Sequence, residues 1–98
     1  MSLTTNNWKN KKGTSQRTCS CESWAKHWMN FSKLKWPTAC SVKGCYNFPT
    51  LGAHVYNPNE VGEWIVPMCD ACNERSDSFD LKESVTCVPA NTAFTCGK

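Results

Sequence analysis

The chain has 98 residues, 8 of them cysteine and 19% of them charged, with a net charge of +3 and a mean hydropathy of −0.53. The longest apolar run, residues 64–69, is too short to cross a bilayer, and residues 1–14 lack the apolar stretch of a secretion signal, so we expect a single cytoplasmic domain without a membrane partner. Because cytosolic thiols stay reduced, we expect the cysteines to bind metal rather than to form disulfides.

The N-terminal part of the chain divides into a polar segment and a helix. Residues 1–17 are rich in Asn, Lys, Thr and Ser, which predicts a mobile basic arm anchored only by Trp8 and followed by one domain over residues 18–98. Three aromatic residues then recur at i, i+4 and i+7, which places them on one face of a predicted helix. These residues are Trp24, Trp28 and Phe31.

The middle of the chain predicts a hairpin followed by a helix. Residues 53–56 form a short strand candidate, and residues 63–68 form a second strand that ends at Pro67. A second helix is predicted from Asp70 to about Leu81, before a mostly extended tail. The order of elements predicts a small α+β domain with little sheet.

Two cysteine pairs flank the predicted hairpin. Cys40 and Cys45 are separated by four residues that include Gly44, and Cys69 and Cys72 lie at the start of the second helix. Zinc prefers four such ligands in a tetrahedron, and the positive end of a helix favours thiolate. A knuckle, a hairpin and a helix carrying the second pair predict a treble clef, here with an added N-terminal helix.

The stretches "CSVKGC", "LGAHV" and "IVPMCDACN", within residues 40–77, resemble the zinc-containing members of the HNH endonuclease family, also called ββα-metal nucleases. The resemblance implies that the zinc is structural and that a separate Mg²⁺ or Mn²⁺ assists catalysis. It also implies that His54 is the general base that activates water, and that Asn73 lies near the catalytic metal.

The sequence departs from the HNH pattern at the ligands of the catalytic metal. The aspartate that usually precedes the base is Ala53 here, and Trp64 lies near the place of the central asparagine. A hard cation requires oxygen ligands, so the departure disfavours catalysis, and the basic N-terminal half then favours an HNH-like module that binds nucleic acid or a protein partner. The alternatives are a metal-dependent endonuclease with His54 as base, and a small structural or inhibitory protein from a mobile element.

Four further cysteines predict a second zinc site that ties the N-terminal helix to the C-terminal tail. These residues are Cys19, Cys21, Cys87 and Cys96. His27 is an alternative to Cys87 as the fourth ligand, because it follows Cys21 by six residues.

Charge is unevenly distributed along the chain, which indicates the chemical class of a binding partner. Residues 1–45 contain eight Lys or Arg and one acid, a balance of +7, whereas residues 46–98 have a balance of −4. A basic half predicts a polyanionic partner such as DNA or RNA. Two zinc ions on eight thiolates would bring the net charge to about −1, so the asymmetry is the better indication of nucleic-acid binding.

Overall fold

The computed structural model describes residues 4–11 and 23–90, which contain an antiparallel sheet of four strands and two helices. The elements in chain order are β1 (Lys9–Asn10), α1 (Trp24–Ser32), β2 (Leu51–Tyr56), β3 (Glu63–Met68), α2 (Asp70–Asn73) and β4 (Val88–Pro89). The strands lie in the sheet in their chain order. The predicted α+β class is confirmed. Within these two ranges, neither helix has the length and apolar character that a membrane span requires.

The β2–β3 hairpin divides the molecule into two faces. His54 lies opposite Ile65, and Ala53 lies opposite Val66. Because side chains alternate along a strand, and directly opposed residues share a face, His54 and Ala53 point to opposite sides of the sheet. The turn between the strands contains Gly62 with a φ of +87°, a conformation that glycine adopts without strain.

Each face carries its own apolar core. We call the core on the Ala53 side the first core; its buried members are Trp8, Cys40, Val42, Ala53, Val55, Val66, Met68, Cys69, Cys72, Phe79 and Leu81. The second core, on the His54 side, has three buried members: Trp28, Ile65 and Val88. All four cysteines of the two pairs belong to or pack against the first core, so the candidate metal site lies on that side of the sheet.

The N-terminal helix predicted from aromatic spacing is confirmed as α1, which covers the second face. Its N-cap is Ser23, whose side-chain oxygen accepts a hydrogen bond from the backbone N–H of Lys26 at 3.1 Å. It ends at Lys33, which adopts the left-handed conformation. The first turn of α1 lies directly on Gly52, where a Cβ would be 2.6 Å from the carbonyl carbon of Trp24.

The second helix is much shorter than predicted, because α2 ends at Asn73 rather than at about Leu81. Phe79 and Leu81 instead form antiparallel bridges with Trp8 and Val42, and both side chains are buried in the first core. The extended conformation therefore buries apolar groups that a continued helix would direct elsewhere.

The strand β3, Glu63–Met68, has the bounds of the second predicted strand, and Pro67 lies within it rather than ending it. The carbonyl of Pro67 accepts a hydrogen bond from the N–H of Ser41 at 3.1 Å. Since the N and O of one strand residue point to the same side, the missing N–H of Pro67 faces away from β2 and does not interrupt the β2–β3 ladder.

The N-terminal segment, residues 4–11, packs against the sheet and the first core. β1 pairs with β2, and Trp8 is fully buried. The backbone groups of Trp8 and Phe79 exchange two hydrogen bonds of 2.8 Å each. Residues 4–11 thus pack into the fold rather than being anchored by Trp8 alone, whereas the remainder of the predicted arm up to residue 17 lies outside the described residues.

Candidate metal centre

The structure brings the two predicted cysteine pairs into one cluster. The sulfurs of Cys40, Cys45, Cys69 and Cys72 all lie within 4.8 Å of one another. The Sγ atoms of Cys45 and Cys69 are 3.7 Å apart. Tetrahedral zinc with Zn–S bonds of about 2.3 Å requires sulfurs about 3.8 Å apart. The cluster could therefore hold one metal ion with thiolate ligands.

A tight turn positions the first pair. The N–H of Cys45 donates to the carbonyl of Val42 at 3.0 Å, which closes a four-residue turn. Gly44 occupies the third position of that turn with a φ of +85°, as a type II turn requires. At the other end of the loop, the N–H of Cys40 donates to the carbonyl of Asn47 at 2.8 Å. The sequence around Gly44 thus explains locally why the two thiols turn back toward each other.

The second pair is positioned by the junction between β3 and α2. Cys69 is the N-cap residue of α2, and Cys72 lies within the helix. The N–H of Cys69 donates to the sulfur of Cys40 at 3.4 Å, and the side-chain amide of Asn47 approaches the sulfur of Cys69 at 3.8 Å. These donors lower the free energy of thiolate at the centre of the cluster.

The thiols of the cluster differ in acidity. Burial raises the pKa of Cys40, and burial together with the neighbouring Cys45 thiol raises the pKa of Cys72. Burial also acts to raise the pKa of Cys69, but hydrogen bonds from Cys72, Asn47 and Cys45 outweigh it and lower that pKa to about 7. One thiol is thus poised to ionise near neutral pH, and metal binding would displace the protons of the others.

A residue far away in the chain fixes the end of α2. The side-chain amide of Asn10 donates to the carbonyl of Cys72 at 2.8 Å and to the carbonyl of Arg75 at 3.0 Å. The carbonyl of Cys72 also accepts a hydrogen bond from the N–H of Arg75 at 3.1 Å, so the Asn10 amide adds a second, long-range bond at the end of α2 beside the cluster. Sequence reasoning missed Asn10, because nothing local relates it to a residue 62 positions later.

The two residues assigned to catalysis are not brought together. His54 is 5% exposed and its ring packs edge-on against Trp24 of α1, with ring centroids 4.4 Å apart. Asn73 belongs to α2, which lies on the first-core side of the sheet through Cys72. His54 thus faces the second core, whereas α2 contributes Cys72 to the first core, which differs from the arrangement that the HNH resemblance implies.

The two described candidates for the second zinc site, His27 and Cys87, are not part of a ligand cluster among the described residues. The Nε2 atom of His27 is 2.9 Å from the carbonyl oxygen of Pro89, and its ring contacts Trp24 on the second face. Cys87 packs against the first core. Among the described residues, neither of them belongs to a group of three or more metal-ligating side chains. The other predicted ligands, Cys19, Cys21 and Cys96, lie outside the described residues.

In comparisons with known proteins, no family model, no curated protein and no solved structure matches the chain.

Proposed function

We propose that the protein is a structural zinc-binding module in which one Zn²⁺ is bound by Cys40, Cys45, Cys69 and Cys72. The observation that carries this proposal is the cluster of four sulfurs within 4.8 Å of one another. Four thiolates complete the tetrahedral coordination of zinc and leave no position open for substrate, as in structural zinc sites. Free thiols are required, so we place the protein in a reducing compartment such as the cytoplasm.

We further propose that the module is a treble clef of HNH-like type. The order of parts supports this assignment: a knuckle turn at residues 40–45, the β2–β3 hairpin, and then a helix that contributes the second cysteine pair. The resemblance of the three sequence stretches to zinc-containing HNH proteins supports it as well. The shortness of α2 and the pairing of β1 with β2 are features particular to this chain.

The module is proposed to act without catalysis. His54 is buried against Trp24, and the neighbouring Ala53 offers no oxygen ligand for a divalent cation. A general base must lie within hydrogen-bond reach of the water that it activates, which a ring packed beneath α1 does not favour. Binding of DNA or RNA is the activity that the +7 balance of residues 1–45 supports; a protein partner is the alternative.

Metal analysis of the purified protein tests the zinc proposal. We expect at least one zinc per chain, and two if Cys19, Cys21, Cys87 and Cys96 form the second site. Cys69→Ser should remove one equivalent, because it deletes a ligand of the four-sulfur cluster. Well-folded protein with less than about half an equivalent of any metal would contradict the proposal. Because four thiolates also bind iron, the metal analysis should identify the element as well as its stoichiometry.

A nicking assay tests whether catalysis is absent. Plasmid DNA incubated with the protein and Mg²⁺ or Mn²⁺ should remain uncut. Metal-dependent nicking that is lost in His54→Ala, with zinc content unchanged, would establish the endonuclease alternative, since removal of a general base lowers the rate roughly 10²-fold or more.

Binding to DNA or RNA, measured with the same samples, should weaken steeply with added salt, because phosphate contacts release counterions. Absence of binding at low salt would favour the protein partner.

A further inference from the structure

The side chain of Lys82 closes the loop that carries the first cysteine pair. Its Nζ donates to the carbonyl of Cys40 at 2.7 Å and to the carbonyl of Cys45 at 2.6 Å. These carbonyls belong to the two ligand residues themselves, at the first and last positions of the knuckle loop. One ammonium group therefore fixes the distance between the two ends of the loop, in addition to the turn hydrogen bond within it.

The backbone around Lys82 places this ammonium group. Residues 80–82 run alongside residues 41–43, with an antiparallel bridge between Val42 and Leu81. The N–H of Lys82 donates to the carbonyl of Ser41 at 3.0 Å. The ring of Tyr46 lies over the ammonium group, with the ring centroid 4.6 Å from Nζ. Two carbonyls and an aromatic face thus hold one cation, which is a more specific arrangement than a solvated surface lysine.

The charge of Lys82 also matches the proposed metal site. A Zn²⁺ ion bound by four thiolates carries two net negative charges, which the buried cluster must accommodate. Three of the four ligand residues are buried, so their charge is poorly screened by solvent. An ammonium group bonded to the carbonyls of two ligand residues lowers the electrostatic cost of forming that anion.

We propose that Lys82 is a positioning residue of the zinc site, which holds the knuckle loop in its metal-binding geometry and offsets part of the negative charge of the zinc–thiolate centre. This inference rests on the proposed function, because it assigns Lys82 a role in the zinc binding argued above. Lys82 does not itself bind the metal.

The test compares three variants with the wild-type protein. Lys82→Met keeps an unbranched side chain but removes the charge and the donors, and Lys82→Arg keeps the charge with altered donor geometry. Lys43→Met is the matched control, since Lys43 is an exposed lysine within the same loop. Zinc affinity is measured by competition with a chromogenic chelator, and the geometry of the thiolate site by the absorption spectrum after cobalt substitution.

We expect Lys82→Met to weaken zinc binding by about 10- to 100-fold, the range typical for groups that orient metal ligands, and to alter the cobalt spectrum. Lys82→Arg should recover part of the affinity, and Lys43→Met should bind zinc as the wild type does. Unchanged affinity and an unchanged cobalt spectrum in Lys82→Met would overturn the role of Lys82 while leaving the zinc proposal intact. A wild-type protein that binds no metal would overturn both.

If Lys82→Met fails to fold, a zinc titration of refolding distinguishes a defect in metal binding from a defect in folding. If the defect lies in metal binding, free zinc in excess should refold the variant by mass action, and the zinc concentration required should exceed that of the wild type. A Lys82→Met variant that remains unfolded at every zinc concentration would show that the defect does not lie in metal binding, and would contradict the positioning role.

Discussion

At the scale of single residues, Cys87 differs from the four clustered cysteines. It is half-buried, packs against the first core and belongs to no described group of metal ligands. Burial, with a smaller contribution from the negative charge of Glu60, raises the pKa of the Cys87 thiol to about 12. A thiol in such surroundings remains protonated and is a poor nucleophile.

The raised pKa of Cys87 predicts a loss of stability at alkaline pH. The thiol ionises near pH 9 in the unfolded chain and near pH 12 in the folded protein. The protonated Cys87 thiol therefore contributes fully to the free energy of unfolding below pH 9, and this contribution is lost as pH rises from 9 toward 12. Zinc-loaded wild type should lose more of its free energy of unfolding between pH 8 and 10.5 than Cys87→Ala does, in denaturant titrations at each pH.

Alkylation of Cys87 at pH 8 provides a second readout. Iodoacetamide should modify Cys87 more slowly in the folded protein than in urea, because little thiolate is present. An equal pH dependence in wild type and Cys87→Ala would contradict the raised pKa. A thiol that ionises below pH 9 and is protected by zinc would instead assign Cys87 to the predicted second site with Cys19, Cys21 and Cys96.

At the scale of elements, the packing of α1 on the sheet explains the placement of both histidines. Gly52 lets the first turn of the helix lie against β2, where the absence of a side chain permits contact between backbones. The ring of Trp24 then lies between His27 and His54, at centroid distances of 5.0 and 4.4 Å. A histidine that looks like a candidate base in the sequence is thus covered by a helix that the HNH pattern does not include.

Gly52→Ala should destabilise the protein and displace α1. The new Cβ would lie 2.6 to 2.9 Å from backbone atoms of Trp24 and Ala25, which no rotamer change relieves. Such overpacking costs about 1–3 kcal/mol of the free energy of unfolding. In NMR spectra, the ring protons of His54 should lose part of the ring-current shift caused by Trp24.

Gly62→Ala serves as the control for this variant. A Cβ at Gly62 meets no atom within 4 Å, although its φ of +87° adds strain of about 1–2 kcal/mol. The resonances of His54 should therefore be unchanged in Gly62→Ala. Identical His54 shifts in Gly52→Ala and wild type would show that α1 does not lie on Gly52.

At the scale of the whole molecule, residues 4–11 contact both parts of the chain that position the cysteine cluster. Trp8 pairs with Phe79, and Leu81 donates its N–H to the carbonyl of Thr5 at 2.8 Å. The side-chain amide of Asn10 donates to the carbonyl of Cys72, a member of the second cysteine pair in α2. The segment thus contacts both the stretch that supports the knuckle loop and the helix that supplies the second pair of thiols.

Trp8→Ala should therefore destabilise the whole domain and weaken metal binding. Removal of a fully buried tryptophan costs about 3–5 kcal/mol, a large fraction of the total stability of a small domain. Thermal unfolding followed by circular dichroism, at fixed zinc concentration, measures the effect. Lys9→Ala, at the neighbouring exposed position, should change the unfolding temperature little. Equal stability of Trp8→Ala and wild type would restore the interpretation of the segment as a mobile arm.

The sequence alone determined the features that depend on local chemistry. The spacing of Trp24, Trp28 and Phe31 predicted α1, and the apolar runs on either side of a polar turn predicted the β2–β3 hairpin. The two cysteine pairs predicted the four-sulfur cluster, because short spacing, a glycine turn and a helix start already bring each pair of thiols together. These elements depend on neighbours within a few residues, which sequence patterns report directly.

Only the tertiary structure decided the features that depend on distant contacts. Local helical propensity favours a longer helix over residues 74–81, whereas burial of Phe79 and Leu81 against distant segments requires an extended chain. The structure shows the extended chain, so burial outweighs propensity here. The placement of His54 on the face opposite α2 follows from strand register, where a shift of one residue would reverse the face. The bonds from Asn10 and Lys82 to the cluster span 62 and up to 42 residues, and no local pattern encodes them.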